Sequence, residues 1–193
     1  MDPDTFQQFG RALLNLEGPV ITWLLQNLCA DDVKFGVESL LSGMLVGPDI
    51  DPTNVLCAVD IADQQLQMPN HAIVLYDAAL EYMKEHPESI SADTDCAAAS
   101  LNLIDLLRKQ RDRAGWLNAI KRAAEMQIKR PDQKVQIAYW LNAAGEKRLA
   151  YDLYLKAMAA GDEAVAAALD VGVDDLKKMG KKLKDDFQGD NQS

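Results

Sequence analysis

Arg130-Pro-Asp-Gln-Lys-Val-Gln-Ile-Ala-Tyr-Trp-Leu-Asn-Ala-Ala-Gly145-Glu-Lys-Arg-Leu-Ala-Tyr-Asp-Leu-Tyr-Leu-Lys-Ala-Met-Ala-Ala-Gly161-Asp162 decides the fold. It reads as two amphipathic helices back to back. Pro131 sits in a first helical turn, where its missing N–H removes no bond; Gly145 interrupts the pair and Gly161 stops the second helix. Ala150, Tyr154 and Ala157 lie four and three apart, so two small residues and one ring share a face. Such a face lets a neighbouring helix come close while the ring fills the groove.

Working outward, the same periodicity recurs along the chain. Phe6, Phe9, Leu13 and Leu16 form a stripe over 4–16. A second helix, 19–28, is apolar on most sides through Val20, Ile21, Trp23, Leu24, Leu25 and Leu28, so it should be central or covered by a partner. A third runs from Asp31 or Asp32 to about Val46. Gly47 to Pro52 is a linker, and Asp51-Pro52 opens a helix over 52–67. Further helices are expected at 70–86, 93–112 and 116–129, with a polar loop at 88–94 and Gly115 as a soft break. Two more, 162–170 and 174–187, follow the opening stretch, and 188–193 is a frayed tail. No run alternates with period two. The expectation is an all-α fold of ten to eleven helices arranged as stacked antiparallel hairpins. Residues 1–47 would form an N-terminal helical segment packed on the array, 52–187 the hairpin domain, and 188–193 a disordered tail.

The Ala150, Tyr154, Ala157 pattern recurs as Ala72, Tyr76, Ala79 and more loosely as Trp116, Ile120, Ala123, and Trp-Leu-Asn-Ala occurs at 116–119 and at 140–143. With these residues the stretch resembles a tetratricopeptide repeat or the related Sel1-like repeat; Ala150 to Asp162 is similar to the Sel1-like second helix. The first-helix motif differs, with Lys134, Ile137, Ala138 and Leu141 at the places of its Trp, Leu, Gly and Tyr. The resemblance implies a right-handed stack of hairpins whose concave groove holds a peptide or helix of a partner protein.

The 193 residues carry a net charge of −10 with a sequence pI near 4.6. Residues 1–100 hold 16 acids and 3 bases, and residues 101–193 hold 14 acids and 17 bases. Such polarity steers partners by sign. Bases concentrate at Arg108, Lys109, Arg111, Arg113, Lys121, Arg122, Lys129 and Arg130. The acidic balance of the whole, and the absence of interleaved aromatics other than Trp116, argue against nucleic acid. The lysines from Lys177 to Lys184 read as one face of the last helix. No stretch approaches the roughly 18 apolar residues of a membrane span. The acidic start, Met-Asp-Pro-Asp-Thr, is unlike a basic leader, so a soluble cytoplasmic protein is expected.

Enzyme signatures are poor. Phosphate loops, zinc-protease and nucleophile-elbow motifs are all missing, and Cys29, Cys57 and Cys96 form no Cys-x-x-Cys pair. No catalytic residue, cofactor or metal is assigned. His71 reads as a surface first-turn residue and His86 as a helix C-terminal one. Asp60 with Asp63, and Glu81 with Glu85, each share a helix face, and they support an alternative reading as a metal-dependent helical-bundle enzyme.

The leading expectation is a non-enzymatic scaffold, adaptor or chaperone. It would grip a partner protein segment through Arg108, Arg111, Arg113, Trp116, Tyr139, Trp140 and Tyr151, with Tyr154 belonging to the core. Another alternative is an acidic inhibitor or immunity-type protein that covers a basic nucleic-acid-binding or nuclease partner. Self-association into a homo-oligomer is left open.

Overall fold

A computed structural model describes residues 3–45, 50–90, 96–126 and 128–190. Among them the chain is all-helical, with eleven α-helices and no strand. In order these are α1 (Pro3–Asn15), α2 (Gly18–Asn27), α3 (Ala30–Leu41), α4 (Pro52–Asp60), α5 (Pro69–Glu85), α6 (Cys96–Lys109), α7 (Arg113–Glu125), α8 (Pro131–Ala143), α9 (Lys147–Met158), α10 (Asp162–Leu169) and α11 (Val173–Asp190). The all-α expectation and the helix count both hold. Val46, half of the 47–52 linker, most of the 88–94 loop and the end of the tail lie outside the described residues.

The chain divides into two compact units, Met1–Leu106 and Leu107–Ser193. The division follows the charge. Unit 1 carries 17 acids and 3 bases, a balance of −14, and unit 2 carries 13 acids and 17 bases, a balance of +4.

In unit 1, α3 and α4 pack on α5, and α1 packs on α2 and α3. Phe9, Leu13, Leu24, Leu25, Leu40, Leu75, Leu80 and Met83 are fully buried there. The α1–α3 approach depends on Gly36, where a Cβ would stand 2.7 Å from the Phe6 ring. Asp51 caps α4 by accepting from the Thr53 N–H at 2.8 Å, as its place before Pro52 predicts. The 52–67 helix does not run on regularly: after Asp60 it widens into a π-helical turn, Ile61–Gln65. His71 departs from its expected surface role. It is half-buried in the first turn of α5, and its Nε2 donates to the Leu28 carbonyl at 2.8 Å, tying α5 to the end of α2.

In unit 2, α8 and α9 form the hairpin read from 130–162, α7 packs on α8, and α11 packs on α9. Ala150, Tyr154 and Ala157 are buried. The Tyr154 hydroxyl donates to the Leu176 carbonyl at 3.0 Å, and its ring lies where a Cβ on Gly180 would be, so α11 meets α9 through a glycine. In unit 1 the matching face, Ala72, Tyr76 and Ala79, is buried as well, and the Tyr76 hydroxyl accepts from Asn102 at 3.3 Å. Burial pushes both tyrosine hydroxyls above their ordinary pKa.

Five helices end in the same motif. The first or second residue after the helix takes a positive φ, its N–H bonds three residues back, and the next N–H bonds five back. Gly43 and Gly145 occupy the positive-φ place at 76° and 91°, whereas Leu16, Arg111 and Asp170 do so at 54°, 60° and 53°. The break expected at Gly115 is instead centred on Arg111. Asp112 then caps α7 by accepting from the Gly115 N–H at 2.9 Å, and a Cβ on Gly115 would collide with that carboxylate. The glycine makes room for the cap inside the first turn; it does not break the helix.

Candidate functional site

Where α6 ends and α7 begins, Leu107, Arg108, Arg111, Asp112, Arg113 and Trp116 line a hollow of about 250 Å³. Two overlapping devices build this corner. The helix-end motif, with Arg111 N–H on the Arg108 carbonyl at 3.1 Å and Asp112 N–H on the Leu107 carbonyl at 3.0 Å, ends α6. The Asp112 cap then starts α7 at once, placing Arg113 and Trp116 one turn apart on the far wall. Leu107 is buried and supplies the apolar floor.

The electrostatics of the corner are one-sided. Arg108, Lys109, Arg111 and Arg113 cluster in sequence about Asp112, whose carboxylate accepts the Gly115 N–H of the cap. Elsewhere in unit 2, Lys121 pairs with Glu146 at 2.6 Å and Arg130 with Asp132 at 2.6 Å. Among the described residues neither Arg111 nor Arg113 has a salt-bridge partner. The buried indole N–H of Trp116 also lacks a hydrogen-bond acceptor among them, an arrangement that folded proteins seldom leave without a reason.

Tyr139 and Trp140 lie elsewhere in unit 2. With Val135, Gln136, Leu169 and Met179 they line an almost wholly apolar hollow of about 260 Å³ formed by α8, α10 and α11. Tyr139 is 50% exposed at its edge. Tyr151 joins neither hollow: it is half-buried and stacks on Phe187, ring centres 5.7 Å apart. The seven residues nominated from sequence thus fall into a basic corner of four, an apolar pair and one aromatic stacked on the last helix. Leu169 and Met179 were missed because each comes from a different helix, and only packing brings them together.

Another concave surface is in unit 1. Glu38, Leu41, Ser42, Gly43, Asp77, Ala78, Glu81, Tyr82, Glu85 and His86 line a groove of about 490 Å³ between α3 and α5. Asp77, Glu81 and Glu85 are four apart and so line one stripe of α5, a spacing legible in the sequence. His86 caps α5, lies tilted against the Tyr82 ring with centres 4.5 Å apart and stands 3.3 Å from Glu88. Asp60 and Asp63 are not among the lining residues. Among the described residues no group of three or more His, Cys, Asp or Glu converges as metal ligands would. Cys57 is exposed, and burial of its sulfur together with Asp60 and Asp51 pushes its thiol above the ordinary range, the reverse of an activated nucleophile.

Among the described residues no helix is long and apolar enough to cross a membrane. Compared with protein-family models, curated proteins and solved structures, the chain matches none.

Proposed function

We propose that the chain is a non-enzymatic interaction protein, acting as a scaffold, adaptor or chaperone, and that the α6–α7 corner is its main contact surface. One observation carries this reading: Arg108, Arg111, Arg113 and Trp116 surround a single apolar-floored hollow in which Arg111 and Arg113 have no ion pair among the described residues. Arginine and tryptophan are the residues that dominate binding energy at protein interfaces, and a concave apolar floor ringed by charge is the arrangement in which they do so. The apolar hollow at Tyr139 and Trp140 offers a second anchor point in the same unit.

Affinity capture from native lysate tests this, with the wild type compared against a Trp140→Ala, Arg111→Glu double variant. Proteins retained by the wild type and lost by the variant support the reading. Proteins retained equally, by a variant with unchanged circular dichroism, count against it.

A second reading has its own observation. Unit 1 carries a balance of −14 and its α3–α5 groove is lined by four carboxylates, which suits an inhibitor covering a basic partner such as a nuclease. Such a complex should weaken steeply with added salt and with Glu81→Gln, Glu85→Gln, while the Arg111→Glu change leaves it intact.

A further inference from the structure

We infer that the hollow at the α6–α7 corner receives an apolar side chain from a partner protein segment in which carboxylates flank that side chain. This rests on the corner being a contact surface, as proposed above, and goes further by naming what fits it.

Two features define the occupant. A floor of Leu107 and the Trp116 ring, in a hollow of about 250 Å³, has room for one large apolar side chain and no reason to hold a polar one. At its rim, Arg111 and Arg113 are exposed and have no salt-bridge partner among the described residues. The planar guanidinium fork matches a carboxylate through two parallel hydrogen bonds.

A protein segment is favoured over nucleic acid for a reason of extent. Charge is screened beyond about 8 Å at physiological ionic strength, so a short acidic segment senses chiefly the corner. A long polyanion would need a basic track and would meet a chain of net charge −10.

The test uses Trp116 as its own reporter. The chain has three tryptophans, so Trp23→Phe with Trp140→Phe leaves Trp116 alone. Its fluorescence is titrated with three short peptides: Asp and Glu around one central Leu, the same with Ala for Leu, and Lys and Arg around Leu. The first should give a saturable change in emission, weakening as salt rises. The other two, and the Arg111→Glu, Arg113→Glu variant with the first peptide, should bind about tenfold more weakly or not at all. Equal responses to all three peptides, no response to the first, or a variant that binds like the parent would overturn the inference. A single-stranded oligonucleotide that binds as tightly as the first peptide would overturn it too. So would salt-sensitive self-association in sedimentation that disappears in the variant, since the occupant would then be a second copy of the chain. If the peptides fail while Arg111→Glu still loses lysate partners, the ligand class is wrong and the corner stands. If lysate partners are kept, the corner itself is wrong.

Discussion

A Cβ at φ of 60° crowds the following carbonyl, at a cost of about 1–2 kcal/mol, and Arg111 carries that cost in full view of solvent. Arg111→Gly removes the crowding and adds backbone freedom to the unfolded chain, for an expected net gain of about 0.5–1 kcal/mol. A urea titration should show the midpoint rising at constant slope. The reverse change at an equivalent place, Gly145→Ala, should lose about 1 kcal/mol from the backbone alone: φ there is 91°, and the added methyl would meet nothing within 4 Å. Gly115→Ala should cost about as much by a different route, displacing the Asp112 carboxylate that caps α7. Its diagnostic is a loss that largely disappears in an Asp112→Ala background, where no cap remains to displace.

Between elements, the α9–α11 contact concentrates on Tyr154 and Gly180. Tyr154→Phe keeps the ring and leaves the Leu176 carbonyl without its donor, so about 1 kcal/mol should be lost. Gly180→Val drives two methyls into the ring and should cost about 2–3 kcal/mol, read by thermal unfolding. The start of α8 carries a pH dependence. Burial raises the Asp132 pKa, but the Arg130 guanidinium and backbone N–H groups outweigh it and hold the carboxyl below its ordinary value. A depressed carboxylate stabilises the fold above its unfolded pKa of about 4 and stops doing so as pH falls through the lower folded value. Asp132→Asn should therefore flatten the acid limb of a stability profile and leave the profile's shape near pH 7 unchanged. Most of these elements were legible in the sequence, because amphipathic period, Pro at first turns and Asp before Pro are local signals. The Ala-x3-Tyr-x2-Ala face is buried at both 72–79 and 150–157. The π-helical turn after Asp60, the positive-φ turn at Arg111 and the His71 bond to Leu28 were not legible, since each depends on groups brought in from elsewhere or on a residue type that disfavours the conformation it adopts. Of the candidate site, the arginines and Trp116 could be named from sequence, but their gathering about one hollow required knowing that the chain turns at Arg111 and not at Gly115.

Across the whole molecule, the boundary between the compact units coincides with a change in the sign of charge, from −14 to +4. Two contact chemistries follow: salt should weaken an acidic partner held at the α6–α7 corner and a basic partner held by unit 1 alike, so salt alone cannot separate them. Residue choice can. Arg111→Gly is the sharpest variant, because it deletes one rim guanidinium while relieving the backbone. Stability and partner retention, measured on the same purified Arg111→Gly protein, should move in opposite directions: the urea midpoint rises and lysate partners held by the wild type fall away. A more stable protein that keeps every partner would contradict the assignment of this corner as the contact surface.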